Sequence, residues 1–178
     1  MPKRRLRGAL LVGERKSVPL IKNKKIIKLY LAIISPPPSK NDKYITSNIE
    51  KSSFSNVRKM TTSDIKGKFA KTYIKILAKN SKYALALLYP ITGRTHQLRV
   101  HMNYIGCSII GDKKYKLNEN FRDNENFLKL HSYVIKFPNQ DFIKAPLPEH
   151  FINFMKENKL DINLEKIEKN FEKEFKYE

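Results

Sequence analysis

Two arginines lie in the segment of this 178-residue chain that is richest in chemically informative residues. Arg94 and Arg99 flank and enter the predicted start of a short helix, where unpaired backbone N–H groups and the helix dipole attract anions. The planar guanidinium group adds a permanent charge that suits a carboxylate or a phosphate. By themselves these residues leave two interpretations equally open, an anion-binding site or an ordinary helix with solvent-facing arginines.

The other polar residues near these arginines do not predict a metal site. His96 and His101 are five residues apart, which does not suit two ligands on one helical face, so we expect them to pack and to form hydrogen bonds. Asp112 is expected to be a turn residue that fixes a loop. The single cysteine, Cys107, excludes an intramolecular disulfide and any multi-cysteine zinc site.

The charge of the chain favours a polyanionic partner. The sequence has 36 lysines and arginines against 17 aspartates and glutamates, a formal net charge of +19. The excess lies in residues 1–148, because residues 149–178 hold eight acidic residues and six lysines. Such a field favours nucleic acid. A membrane is not expected, since no apolar run approaches the ~20 residues of a spanning helix and the run after Gly8 does not resemble a signal peptide. We therefore expect a cytoplasmic protein.

Apolar patterning predicts the elements that position these residues. Five segments rich in β-branched and aromatic residues are predicted strands: residues 10–12, 28–34, 69–78, 83–88 and 133–137. The third and fourth are expected to pair as a hairpin. Residues 95–105 form a predicted short helix that Thr95 caps and Gly106 ends. Residues 35–56 are polar and are expected to form a long loop, while residues 148–175 are expected to form one or two charged helices.

One pattern is more specific than charge or periodicity: TGRTHQLRVH at residues 92–101, followed by IGCSIIGDKKY at residues 105–115. It resembles the signature of RluA-type RNA pseudouridine synthases. Shorter matches occur in that family's order: K-L-Y-L-A from Lys28, K-T-Y from Lys71, L-H from Leu130 and A-P-L-P from Ala145. The resemblance covers roughly residues 8–155, because Gly8 begins a G-A-L-L-V run like the strand after the family's catalytic loop. So many matches in order make a chance similarity a poor explanation.

The resemblance implies a fold and an activity. The fold class is α+β, an incomplete catalytic core with a mixed, mainly antiparallel sheet, flanking helices and a C-terminal helical tail. Residues 8–148 would be a partial catalytic domain, residues 149–178 a charged helical extension and residues 1–7 a non-matching basic start. Members of the family isomerise uridine to pseudouridine in RNA without a metal or an organic cofactor, at a nucleotide that leaves its stack. The implied partner is RNA, with ribosomal RNA preferred to transfer RNA, and the chain is expected to act as a monomer.

The resemblance also implies roles for single residues. By position, Tyr30 packs on the flipped base, whereas without the resemblance it would be interpreted as a core tyrosine. Arg99 pairs with the catalytic aspartate and keeps it ionised, which is physically reasonable because an uncompensated carboxylate in a closed pocket would protonate. The residues implied to support the site or to contact RNA are Arg94, Thr95, His96, Lys28 and Lys71.

The family's nucleophile is the feature that the sequence does not match. Aligning the family's glycine with Gly8 places the catalytic aspartate at Lys3, and neither Asp nor Glu precedes Glu14. Lysine cannot attack as an anion, and beside Arg99 it would add repulsion. The sequence predicts a synthase that is inactive as written, through a broken gene or a wrongly assigned start; the alternative is a non-catalytic RNA-binding remnant of the same fold. A basic ribosomal or structural protein outside the family explains the charge but not residues 92–101.

Overall fold

The structure is a computed structural model, and it describes residues 26–52, 59–117, 125–160 and 162–165. The elements within these ranges are β1 (Ile27–Ser35), β2 (Asp42–Lys51), β3 (Met60–Ser63), β4 (Lys68–Lys79), β5 (Ala84–Pro90), α1 (Gln97–Tyr104), β6 (Ser108–Ile109), β7 (Leu130–Lys136), β8 (Phe142–Lys144) and α2 (Glu149–Glu157). The strand predicted at residues 10–12 and the position of Lys3 lie outside the described residues. The α+β class is confirmed.

The described strands form one sheet in the order β3-β2-β4-β5-β1-β7-β8, and β6 pairs with the end of β1. All the described strand pairs are antiparallel. β1 and β5 are central and are covered on both faces. Because both sides of such strands are buried, they consist of nearly continuous apolar runs, and Leu31, Ile33, Leu85 and Leu87 are fully buried.

The sheet separates two apolar cores. On the side of α1, here called the α1 face, the buried cluster includes Ala32, Ile34, Ile74, Leu88, Leu98 and Met102. On the other side, the α2 face, it includes Leu29, Leu31, Ile33, Leu87, Phe151 and Phe154. β4 shows the division within one strand, since Ala70, Thr72 and Ile74 are buried whereas Lys71 and Tyr73 between them are only half-buried. The half-buried strand and the hairpin with β5 are therefore confirmed.

The predicted loop at residues 35–56 is wrong, because the ten residues of β2 lie within it. The strand is hydrogen-bonded between β3 and β4. Ile45 and Ile49 are the buried residues of its ten, so its apolar alternation is too sparse to be recognised in the sequence. Pairing with its neighbours, rather than local propensity, makes this segment a strand.

The helix after β5 begins later than predicted. His96 is at the N-cap of α1 with φ 55° and makes no side-chain cap bond, and Thr95 is exposed, so the predicted Thr95 cap is wrong. A different group closes the turn before the helix, as described below. Gly106 follows the C-cap residue Ile105 with φ 79°, a left-handed conformation that glycine adopts readily, so the predicted end is confirmed.

The C-terminal part packs onto the α2 face. The apolar stripe predicted for α2 is confirmed, because Phe151, Phe154 and Met155 are buried there. Of the second predicted helix, most residues lie outside the described ranges, but Leu164 packs against the same core. Neither α1 nor α2 is long and apolar enough to cross a membrane, and the described ranges contain no other helix that is.

Candidate functional site

An open cavity of about 350 Å³ lies where the start of β1, the end of β5 and the start of α1 meet. Its lining includes Lys28, Tyr30, Arg94, His96 and Arg99. The two residues to which the resemblance assigns the central roles thus face one space, from a strand and from a helix. The roles themselves remain predictions, but the arrangement they require, on one side of the sheet, is present.

The alternation of β1 brings Tyr30 to this cavity. Leu29 and Leu31 are buried on the α2 face, so Lys28 and Tyr30 project to the α1 face. The pairing of β1 with β7 is irregular between Leu29 and Tyr30. Tyr30 remains half-buried, with its ring at the border of the α1-face core. It therefore combines an apolar surface with access to a ligand.

Arg99 is held by a carboxylate that the sequence analysis did not pair with it. Its Nε donates to Oδ2 of Asp112 at 2.8 Å and its Nη2 to Oδ1 at 2.6 Å. The Asp112 side chain is only 1% exposed, and Oδ1 also accepts the backbone N–H groups of Lys114 and Tyr115 at 2.9 Å. The loop-fixing role predicted for Asp112 is confirmed. Its ion pair with Arg99 was not predicted. No sequence pattern links residues thirteen apart across a chain reversal.

The electrostatics of this pair favour both charges. Burial would raise the pKa of Asp112, but the hydrogen bonds from Arg99 and from two backbone N–H groups hold it below its usual value. The hydrogen bond to Asp112 raises the pKa of Arg99, against the opposing effect of burial. The Arg99 guanidinium also lies 4.8 Å from the ring centroid of Tyr115. Its orientation is therefore fixed before any ligand arrives.

The backbone at residue 111 explains how Asp112 comes under Arg99. Gly111 has φ 77°, and a Cβ there would lie 2.1 Å from the carbonyl oxygen of Phe127. Only glycine allows the segment at residues 127–128 to pass so closely. In the motif G-D, Gly111 is therefore required for steric reasons and Asp112 for its charge.

A buried glutamine fixes the turn that carries Arg94. Gln97 is 3% exposed; its Nε2 donates to the carbonyl of Lys71 at 3.0 Å and to Oγ1 of Thr72 at 2.9 Å. Its Oε1 accepts the N–H of Arg94 at 3.0 Å and the hydroxyl of Thr92 at 2.7 Å. These bonds close the turn for which a Thr95 cap was predicted. The sequence analysis did not single out Gln97, because a glutamine at a helix start is common and its burial is a tertiary property.

The two histidines of the motif pack and form hydrogen bonds, as predicted. His101 is fully buried, with Nδ1 2.9 Å from Oγ1 of Thr72 and Nε2 3.1 Å from Oγ of Ser47, so it ties α1 to β4 and β2. Burial lowers the pKa of His101 to about 4, which keeps it neutral near pH 7. His96 lines the cavity, and its Nδ1 lies 2.8 Å from the hydroxyl of Tyr115. Burial, followed by the charges of Arg99 and Lys114, lowers the pKa of His96.

The remaining predicted contact residues are not all at the cavity. Arg94 lines it, and its Nε donates to the carbonyl of Phe69 at 2.9 Å. Thr95 lines an adjoining groove rather than the cavity. The side chain of Lys71 projects to the α2 face, with Nζ 4.3 Å from the ring centroid of Tyr44. The structure therefore brings together Lys28, Tyr30, Arg94, His96 and Arg99, but leaves Lys71 on the other side of the sheet.

The surroundings of the cavity are basic. Two adjoining grooves are lined by several lysines: Lys51, Lys59, Lys68, Lys113 and Lys114. Glu50 lines one of them, but among the described residues that line the cavity itself none is acidic. Within the described ranges, no three His, Cys, Asp or Glu side chains are grouped to hold a metal ion. The chemistry offered here is aromatic and cationic, which suits an anionic ligand that carries a planar base.

The chain is similar to known RNA pseudouridine synthases. The family model described as RNA pseudouridylate synthase matches residues 15–104. The ribosomal large subunit pseudouridine synthase C of Buchnera aphidicola is 37% identical over 145 residues, which are 76% of this chain and 46% of that protein. The protein of the same name from Rickettsia bellii is 36% identical over 155 residues, 81% of this chain and 51% of its own length. The chain thus spans about half the length of these curated relatives.

Among solved structures, human RNA pseudouridylate synthase domain containing 1 is similar to the chain, with a TM-score of 0.67 and 25% identity. The match covers 80% of this chain and 63% of that one. Human RNA pseudouridylate synthase domain containing 4 has a TM-score of 0.66 over 82% of this chain, and at 22% identity it supports the fold alone.

Proposed function

The chain belongs to the RluA-type family of RNA pseudouridylate synthases, and we propose that its cavity receives a uridine extruded from ribosomal RNA, with transfer RNA as the second candidate. The observation that carries this proposal is the shared lining of one cavity by Tyr30 and Arg99. Two curated relatives are named as ribosomal large subunit synthases, which supports the choice of RNA. A ribosomal partner would place the chain in the cytoplasm.

The cavity suits a single flipped nucleotide. Its volume of about 350 Å³ is at the lower end of the usual range for small-ligand sites, roughly 300–1,000 Å³. The ring of Tyr30 offers an apolar face on which a base can pack, while Lys28 and Arg94 offer charges for the flanking phosphates. Extruding a base costs a few kcal/mol, so loops and weakly paired sites are the preferred substrates.

The ion pair with Asp112 gives Arg99 a fixed direction. A guanidinium that is already held through Nε and Nη2 needs little reorganisation when a ligand arrives, and its remaining N–H groups can donate to that ligand. Asp112 itself is not placed to attack a nucleoside, because it is buried and Arg99 binds both its oxygens. In this proposal Arg99 contacts the ligand and Asp112 positions Arg99.

The chain as written is proposed to bind RNA without isomerising uridine. The family's reaction needs an aspartate as nucleophile, and the alignment of Gly8 places Lys3 at that position. The alternative, an active isomerase, is favoured by the retention of Tyr30 and Arg99 together.

Two measurements on the 178-residue chain separate these functions. Mass-spectrometric analysis of ribosomal RNA incubated with the chain is expected to find no new pseudouridine, and finding it would establish the active isomerase instead. RNA affinity is expected to fall steeply with salt, because lysines and arginines release condensed counterions from the phosphates.

A matched pair of variants locates the binding site. Lys28→Ala removes a cation from the cavity and should weaken RNA binding and reduce the salt slope by about 1. Lys82→Ala removes an exposed lysine from the β4–β5 hairpin, at the opposite end of these strands, and should leave affinity nearly unchanged. Equal effects of the two substitutions would contradict a cavity-centred site.

A further inference from the structure

We propose that the α2 face carries a second RNA-binding surface, a row of three tyrosines with neighbouring lysines on which unpaired nucleotides stack. The tyrosine row consists of Tyr44 on β2, Tyr73 on β4 and Tyr89 on β5. This inference rests on the proposed function in one respect, namely that the ligand is RNA. It goes beyond that function because the row lies on the face of the sheet opposite α1.

The strand register builds the row. Tyr44 is directly opposite Tyr73 in the β2–β4 pair, and Tyr73 is directly opposite Tyr89 in the β4–β5 pair. Residues that face each other across antiparallel strands project to the same side, and neighbouring strands lie about 4.8 Å apart. The rings of Tyr44 and Tyr73 are in contact, with centroids 5.2 Å apart and planes tilted by 50°.

Burial shows that the row is accessible at its outer end. Tyr89 packs against the core under α2, Tyr73 is half-buried, and Tyr44 is 59% exposed. The next aromatic residue of β4 that projects to this face, Phe69, is 53% exposed. A stability role explains the inner ring but not the outer ones, since rings this exposed remove little apolar area from water.

Cations are interleaved with the aromatic rings. Along β4 the α2 face presents Phe69, Lys71, Tyr73 and Lys75 in alternation. The Nζ atom of Lys71 lies 4.3 Å from the ring centroid of Tyr44. Asp42, opposite Lys75, is the acidic residue nearest the row in the strand register. Aromatic rings for bases and adjacent cations for phosphates are the two components with which proteins bind single-stranded nucleic acid.

The row is connected to the cavity through the backbone. Tyr89 is also a lining residue of the cavity, at the end of β5. The carbonyl of Lys71 accepts hydrogen bonds from Gln97 and from the N–H groups of Ile91 and Thr92. Strand β4, which carries Tyr73 of the row, therefore also anchors the turn before α1. An RNA strand whose uridine enters the cavity therefore has the row as a neighbouring surface for its unpaired nucleotides.

The test compares two substitutions of one exposed residue in the full 178-residue chain. Binding of a fluorescein-labelled oligouridylate is measured by anisotropy for wild type, Tyr44→Ala and Tyr44→Phe. Loss of one stacking ring should raise Kd about tenfold, at 1–3 kcal/mol per stacked base, while the phenylalanine variant should remain within about twofold of wild type. Circular dichroism melting checks that both variants are folded.

The outcomes distinguish this inference from the proposed function. Weakening by Tyr44→Ala with retention by Tyr44→Phe supports the row. Wild-type affinity in Tyr44→Ala, with weakening by Lys28→Ala, overturns the row and leaves the cavity proposal intact. If the wild-type chain binds no RNA, both proposals are wrong. A dimer that Tyr44→Ala dissociates without a change in RNA affinity would make the row a self-association surface and would likewise overturn the inference.

Discussion

The two faces of the sheet are stabilised by different kinds of interaction, although the same strands form both. On the α1 face, buried polar side chains are bonded to one another: Gln97 and His101 share Thr72, and Asp112 holds Arg99. On the α2 face, the covered part is an apolar core around Phe151. Hydrogen bonds on the α1 face therefore fix the orientation of polar groups, whereas the α2 face stabilises the fold by apolar burial, which does not depend on orientation.

This difference indicates where a substitution should act. A side chain removed from the covered core of the α2 face should lower stability and leave the cavity's chemistry intact, because apolar packing does not orient Arg99 or Arg94. A side chain removed from the α1 network should alter both, since the same hydrogen bonds hold the fold and the site.

Phe151→Ala tests the α2 face. Phe151 is fully buried, so the loss of its ring should reduce the free energy of unfolding by about 3–5 kcal/mol. RNA affinity at a temperature where the variant is folded should equal that of wild type. Urea denaturation and anisotropy measure the two quantities. Phe127→Ala, at a residue that is 60% exposed, is the control and should change stability by less than about 1 kcal/mol. Reduced RNA affinity in folded Phe151→Ala would break the separation.

Acid should weaken the α1 network through His101. The folded-state pKa of His101 is lowered to about 4, below the 6.5 of the unfolded chain, so burial of the neutral ring stabilises the fold fully above pH 6.5. This stability should be lost as pH falls from 6.5 towards 4, by an amount on the order of 3 kcal/mol. Urea denaturation over this pH range measures it.

A His101→Gln variant sharpens the pH experiment. Its unfolding free energy should vary less between pH 6.5 and 4 than that of wild type. Some slope should remain, because the pKa values of His96 and His150 are also lowered. Asp112 acts in a separate window: its lowered pKa stabilises the fold above its unfolded value, and that contribution is lost only as pH falls through the folded value. If the unfolding free energy of His101→Gln depends on pH as strongly as that of wild type, His101 does not cause the acid destabilisation.

Asp112→Asn tests the coupling of fold and site. Losing the carboxylate leaves Arg99, 20% exposed, without its charged partner, which should lower the free energy of unfolding by about 2 kcal/mol. RNA affinity of the folded variant should also fall, because Arg99 is no longer held in one orientation. Asp141→Asn, at an exposed position between β7 and β8, serves as the control for the charge change. A destabilised variant with wild-type RNA affinity would show that Asp112 does not position Arg99.

Thr92→Val is the mildest test of the same network. The Thr92 hydroxyl accepts the N–H of Lys71 and donates to Gln97, and valine retains its shape without these bonds. We expect a loss of about 1 kcal/mol in unfolding free energy. Thr61→Val on β3, where the hydroxyl is exposed, should be neutral by the same measurement. Equal effects at the two threonines would remove the reason for calling the α1 network a structural unit.

Local pattern was sufficient for most of the elements near the site. Continuous or alternating apolar residues predicted β1, β4, β5 and β7, and helical spacing predicted α1 and the buried stripe of α2. The strands that were not predicted are β2, β3, β6 and β8, and in β2 the buried residues Ile45 and Ile49 are too few to form a pattern. The predicted Thr95 cap was also wrong, because the side chain of Gln97 takes its place. β2 depends on strand partners that lie far away in the sequence. Gln97 is close to Arg94 in sequence, but the distant Lys71 and Thr72 hold its side chain in place.

The ordered matches around residues 92–115 identify the family without any coordinates, and position within the family's order points to Tyr30 and Arg99 as site residues. The folded arrangement was needed to show that Asp112 is the partner of Arg99, that Gln97 closes the turn, and that Lys71 projects away from the cavity. Periodicity reports which side of an element is buried. It does not report which distant side chain completes a hydrogen bond, because that depends on how the strands are ordered in the sheet.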